Sequence, residues 1–130
     1  MIIINFNDYI QKLETYCYWD ARIVDISIAT FFNNIDMYLE LNDNEYLQLS
    51  FIQCYNIKFE HYFEYQKNID YCKLKKQQIP YFIQNIEGED LNIYDYIKYH
   101  IKIDMFPGVL ELYCNSLNVK KVSGFVLGIE

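Results

Sequence analysis

Apolar and polar residues alternate along much of this chain, and that period of two restricts its fold more than any other feature. Ile35, Met37, Leu39 and Leu41 are separated by Asp36, Tyr38, Glu40 and Asn42. Leu47, Leu49 and Phe51 alternate with Gln48 and Ser50, and Ile97, Tyr99, Ile101 and Ile103 alternate with Lys98, His100, Lys102 and Asp104. Successive side chains of a strand point to opposite faces, so each such segment buries one face and wets the other. Val24, Ile26 and Ile28 predict a strand against Asp25, Ser27 and Ala29. Ile57, Phe59, His61 and Phe63 predict another, with Lys58, Glu60, Tyr62 and Glu64 facing away. Leu110, Leu112 and Cys114 follow the same rule, and a last strand near Leu117 to Val122 pairs with them.

Between these segments, Asn33-Asn34, Asn42 to Glu45, Glu87-Gly88-Glu89-Asp90 and Pro107-Gly108 read as turns. Residues 65–78 lose the period and read as a loop or a short irregular helix. Residues 79–86 read as a short strand or turn segment, starting beside Pro80, which cannot donate to a central ladder. One segment has helical spacing instead. From Asn5 to Tyr16, with Asn7 or Asp8 as cap, Phe6, Tyr9, Ile10, Leu13 and Tyr16 or Cys17 share a stripe. The expected fold is mainly β (α+β). About seven strands form an antiparallel meander, as a sandwich or a partly open barrel, with one N-terminal helix on an open end or face.

Composition agrees. A hydrophobic content of 52% excludes a disordered chain, and two alanines in 130 residues are few for a helical bundle. The length suits one domain, residues 1–130, with a core that requires no disulfide or structural metal. The start, Met1-Ile2-Ile3-Ile4-Asn5, lacks a basic region and a long apolar run, and Val122 to Ile129 is interrupted by Ser123, Gly124 and Gly128. A cytoplasmic protein with no membrane partner is the expectation. Cys17, Cys54, Cys72 and Cys114 form no C-x-x-C pair and read as reduced thiols, mostly buried.

No enzymatic motif stands out, and no cofactor is implied. Four glycines cannot build a phosphate loop, and neither G-x-S-x-G nor H-E-x-x-H occurs. His61 and His100 lie on different strands, where either could meet Cys54, Cys72 or Cys114 as a nucleophile pair. Glu60 and His61 face opposite ways on one strand and cannot converge on one metal ion.

Charge says more than any motif. The net charge of −7 argues against nucleic acid, which is bound through a basic surface. Residues 36–64 hold six carboxylates against one lysine, residues 87–111 six against two, and residues 65–82 carry a balance of +3. Tyrosine is interleaved with these acids, and exposed tyrosine offers contact area at little entropic cost. Tyr38, Tyr62 and Tyr113 fall on outward faces, and Tyr46, Tyr55, Tyr94 and Tyr96 at or near strand ends. The candidate partner-binding set is Asp36, Tyr38, Glu40, Asp43, Glu45, Glu60, Tyr62 and Glu64.

The stretch Trp19-Asp20-Ala21-Arg22-Ile23-Val24-Asp25-Ile26, followed by an Asn turn and a clean strand pair, resembles a known opening. It is similar to that of small cytoplasmic bacterial proteins that include the immunity proteins encoded beside polymorphic toxins. Those open with an aromatic-His-Asp-x-x-Ile element leading into a β-meander; here no His stands between Trp19 and Asp20. Leu110-Glu111-Leu112-Tyr113-Cys114 resembles the usual ending. The resemblance implies a non-catalytic protein that binds and blocks one cognate toxin. The element also has a structural reading, in which Asp20 accepts backbone amides, Arg22 pairs with Asp20 or Asp25, and Trp19 anchors the helix–strand corner in the core.

Two functions follow as expectations. One is a protein-binding module, an immunity protein or similar inhibitor, that occludes a basic toxin domain with its acidic, tyrosine-rich face. The other is a small-molecule binder or enzyme with its site in the mouth of a partly closed barrel.

Overall fold

The computed structural model describes residues 5–42, 44–61, 81–91 and 95–123. Its first element, α1 (Phe6–Glu14), begins at Asn5, whose side-chain Oδ1 accepts the Asp8 amide at 2.8 Å. The cap is thus Asn5 and not Asn7 or Asp8. The extended backbone of Asn5 points its side chain at the free amides of the first turn. Asp8 in that turn and Lys12 in the last oppose the helix dipole. Tyr9 and Leu13 are fully buried, with Phe6, Ile10 and Tyr16 packed at their margin, so the stripe expected from spacing is the one that meets the sheet.

Six strands follow: β1 (Ile23–Ala29), β2 (Asn34–Asn42), β3 (Glu45–His61), β4 (Asn85–Asp90), β5 (Tyr99–Met105) and β6 (Gly108–Ser123). They form one antiparallel sheet in the order β1-β2-β3-β6-β5-β4. The mainly β, antiparallel reading with one leading helix holds, but the sandwich does not form, and the sheet does not close into a barrel. Its edges approach at one end only. There Arg22 bridges to Phe82, the Ile23 amide donates to the Tyr81 carbonyl, and the Ile83 amide donates to the Ala21 carbonyl. Ile83 is fully buried between them.

Among the described residues there are six strands and not about seven, because two expected breaks are continuous strands. On β3 the inward residues are Leu47, Leu49 and Phe51, then Cys54; on β6 they are Leu110, Leu112 and Cys114, then Leu117 and Val119. Each strand inserts two residues at the same level, Ile52-Gln53 facing Asn115-Ser116. Phe51 therefore still pairs with Leu117, and Cys54 with Cys114. Both strands reverse parity together and the inner face stays unbroken. A bulge follows between Tyr55 and Lys58, where Asn56 takes a φ of 49°. In sequence such reversals look like strand ends.

The expected turn at Glu87–Asp90 is β4 itself. Gly88 stands there for space and not for a turn, since a Cβ would come within 2.6 Å of the Phe6 ring and 2.8 Å of the His100 carbonyl oxygen. Next to it the Phe6 amide donates to Asp90 Oδ1 at 2.9 Å, tying the helix to the edge strand. Pro107-Gly108 closes the β5–β6 hairpin as expected. Trp19 is not a core anchor. It is 48% exposed and stacks at 4.5 Å on Tyr18, which is the buried member. Asp20 acts through its backbone, with φ at 62° and its amide donated to the Ile83 carbonyl. The loop or helix read at 65–78 lies outside the described residues. Among the described residues no helix is long and apolar enough to cross a membrane.

Candidate protein-binding face

α1 and the main core lie on one side of the sheet; the other side is only partly open, since Ser50 and Tyr46 on that side of β3 are buried. On β2 that side carries Asp36, Tyr38 and Glu40, because Ile35, Met37 and Leu39 between them are buried. Register sets their neighbours. Asp36 faces Ser27 on β1 and Ser50 on β3, Tyr38 faces Asp25 and Gln48, and Glu40 faces Tyr46. Ser50 Oγ donates to Asp36 Oδ1 at 2.6 Å, which fixes that carboxylate. Tyr38 is half-buried, and its phenol is pushed up by burial first and then by the carboxylates of Asp36 and Asp25. It stays a protonated donor between two acids. From Ile23 to Asn42 the β1–β2 hairpin holds three carboxylates and no lysine or arginine.

The other sequence-predicted residues do not join this cluster. Glu45 has the parity of inward Leu47, so it sits at the margin of the helix-bearing side. Its Oε2 lies 2.9 Å from Lys121 Nζ, and that pairing holds its carboxyl below the ordinary value. Glu60 is outward, but ten residues beyond Ser50 along β3, on the order of 30 Å away at strand rise. Asp43, Tyr62 and Glu64 lie outside the described residues. Tyr46, expected at a strand end, is buried with 1% exposure.

The outward side of β4, β5 and β6 is built differently. His100 Nε2 lies 2.7 Å from Glu111 Oε2 and Nδ1 lies 3.3 Å from Glu89 Oε1, while the ring stacks on Tyr113 at 4.6 Å. The hydrogen bond with His100 holds the Glu111 carboxyl below its ordinary value, with Lys58 and Lys102 adding to the effect. The two carboxylates sit on opposite ring nitrogens, so they are splayed by the imidazole instead of converging. Among the described residues no group of three His, Cys, Asp or Glu side chains is placed to hold a metal ion. Beside this cluster lies an open depression of about 310 Å³ lined by Asn56, Ile57, Lys58, Glu111 and Tyr113.

The geometry also decides the histidine–cysteine pairs among the described residues. Cys54 and Cys114 are buried on the inner face, whereas His100 lies outward over Tyr113. His61 is exposed against Phe59 and Tyr81, and Cys17 is exposed near the helix end. Burial pushes the Cys54 thiol up to about 11 and raises Cys114 as well, so both remain protonated. The sheet does not close into a barrel, and among the described residues no histidine meets a cysteine in a mouth where a small-molecule site was expected.

Sequence reasoning missed the most exposed aromatic of the described chain. Phe31 is 100% exposed and Phe32 60%, both at the tip of the β1–β2 hairpin. Thr30, Phe31 and Phe32 all take left-handed φ values of 55°, 54° and 71°, while Asn33-Asn34, the expected turn residues, do not. The available signal was a Phe-Phe pair directly before the Asn-Asn.

Comparison with known protein families agrees with the immunity-protein resemblance. No curated protein matches the chain. A family described as Immunity protein PIM7 matches it over residues 5–121, from the helix cap to just short of the end of β6. That span covers most of the chain, and the protein belongs to the immunity protein PIM7 family.

Proposed function

We propose that this immunity protein neutralises its toxin by occlusion, seating the outward face of β1 and β2 on a basic groove of the toxin domain. The observation that carries this reading is the Asp25–Asp36–Tyr38–Glu40 cluster on a hairpin that has no cation from Ile23 to Asn42. Carboxylates steer a basic partner and raise its association rate, and a tyrosine held among them adds buried contact area. The cluster at His100 is less negative as a surface, because Lys58 and Lys102 lie close enough to act on its Glu111 carboxylate. Occlusion requires no chemistry from the chain, and the cytoplasm is where such a protein would protect its host.

The test uses the cognate toxin domain, sought first among the genes next to that of this chain. Asp25→Lys combined with Glu40→Lys should slow association by about tenfold or more at low salt, and the difference should shrink as salt rises. Unchanged association at low salt would remove the acidic face from the account.

A further inference from the structure

The tip of the β1–β2 hairpin is the costliest piece of backbone in the described chain. Three consecutive residues other than glycine occupy the left-handed region there, and each is strained. One of them, Thr30, is β-branched and poorly suited to it. Residues that tolerate this conformation, Asn33 and Asn34, stand next in line but are not used for it. Asn33 is fixed otherwise: its carbonyl accepts the Cys54 amide at 2.8 Å, and the Asn34 side chain accepts the Gln53 amide. The tip is thereby locked to β3 with both phenyl rings turned to solvent.

Folding gains nothing from the Phe31 ring and little from that of Phe32, which is 60% exposed. Phe31 buries no part of itself, and Ile28 and Ile52 leave further apolar surface exposed at the same end of the sheet. The base of the hairpin supplies Asp25 and Asp36 behind the tip. An apolar point with an acidic shoulder fits one kind of counterpart, an apolar pocket bordered by lysine or arginine. A second copy of the chain fits poorly, since two such hairpins would bring like charges together.

We infer that Phe31 and Phe32 are the anchor of the toxin interface, entering an apolar pocket of the toxin domain whose rim is basic. This rests on the occlusion reading and names the contact within it. Locking the tip in advance reduces the ordering lost on binding, and a buried aromatic at the centre of an interface carries much of its energy.

The experiment measures binding of the full chain to its cognate toxin domain. Phe31→Ala with Phe32→Ala should weaken the Kd by about ten- to hundredfold, with circular dichroism and Tm kept at wild-type values. A photoreactive benzoylphenylalanine at position 31 should crosslink to the toxin domain, at a peptide containing lysine or arginine. Wild-type affinity in the double variant, or a crosslink to a second copy of the chain, overturns the anchor. Loss of binding in the Asp25→Lys, Glu40→Lys variant with the Phe variants unaffected keeps the acidic face and removes the tip. A wild-type chain that does not bind the toxin domain overturns both.

Discussion

Two tight turns close hairpins of the same sheet and are built on opposite terms. At the β5–β6 turn, Pro107 and Gly108 are buried, and a Cβ on Gly108 would come within 2.9 Å of the Glu60 carbonyl oxygen and 3.1 Å of the Tyr81 ring. At the β1–β2 turn, Thr30, Phe31 and Phe32 hold left-handed backbone and stand in solvent. The first turn packs Pro107 and Gly108 against the end of β3 and leaves only Phe106 beside them 45% exposed. The second uses residues that a hairpin alone would not favour. A turn that serves only the fold settles into cheap geometry. One that keeps strain and exposed rings is shaped by something outside the folded chain.

The sharpest way to break this contrast is Gly108→Ala. The added methyl meets backbone that cannot give way, so a loss of about 2 kcal/mol is expected in urea unfolding. A neutral result would mean the two turns are equally loose. A smaller effect of opposite sign tests burial on the helix side. The Tyr9 hydroxyl is buried with no hydrogen-bond partner among the described residues, so Tyr9→Phe should raise stability by about 1 kcal/mol. Smaller again is Phe31→Gly. It relieves left-handed strain but adds freedom to the unfolded chain, for a net gain of about 0.5 kcal/mol. A loss of stability there would show that Phe31 does pack in the folded protein.

The legibility of the fold follows the same division. Period two marks β2 and β5 directly, because one face of each is buried; on β1 the strand is legible, but Ile23 is its one buried residue and Ile28 is half exposed. The period hides the unity of β3 and of β6, where inward residues fall three apart at Phe51–Cys54 and Cys114–Leu117. Parity reversal in one strand makes sense only beside its partner's reversal, and pairing is not written in either strand alone. Glu87–Asp90 misleads for a related reason, since Gly88 answers to the Phe6 ring, far away in sequence. In the candidate site, Asp36, Tyr38 and Glu40 were legible from alternation. The separation of Glu45 and Glu60 from them was not, because it depends on the margin near α1 and on the length of β3. Phe31 and Phe32 were missed because a pattern of alternation ends where a turn begins.

Two paired carboxylates, one on each side of the sheet, set the response to acid. Glu111 is held below the ordinary glutamate value of 4.5 by His100, and Glu45 by Lys121. A carboxylate with a lowered folded-state pKa stabilises above its unfolded value and loses that contribution as pH falls through the folded one. Stability should therefore decline below about pH 4.5. Glu111→Gln should make that decline shallower, as read by chemical unfolding at pH 3 to 6. An unchanged slope would show that the His100 cluster is not held together in solution.

The central claim is that the toxin meets the β1–β2 hairpin and not the His100 cluster. Hydrogen–deuterium exchange of the full chain, free and bound to its cognate toxin domain, tests this most directly. The account predicts slowed exchange over residues 25–40 with residues 85–104 unchanged. Slowed exchange over 85–104, with the hairpin as open as in the free chain, would contradict it.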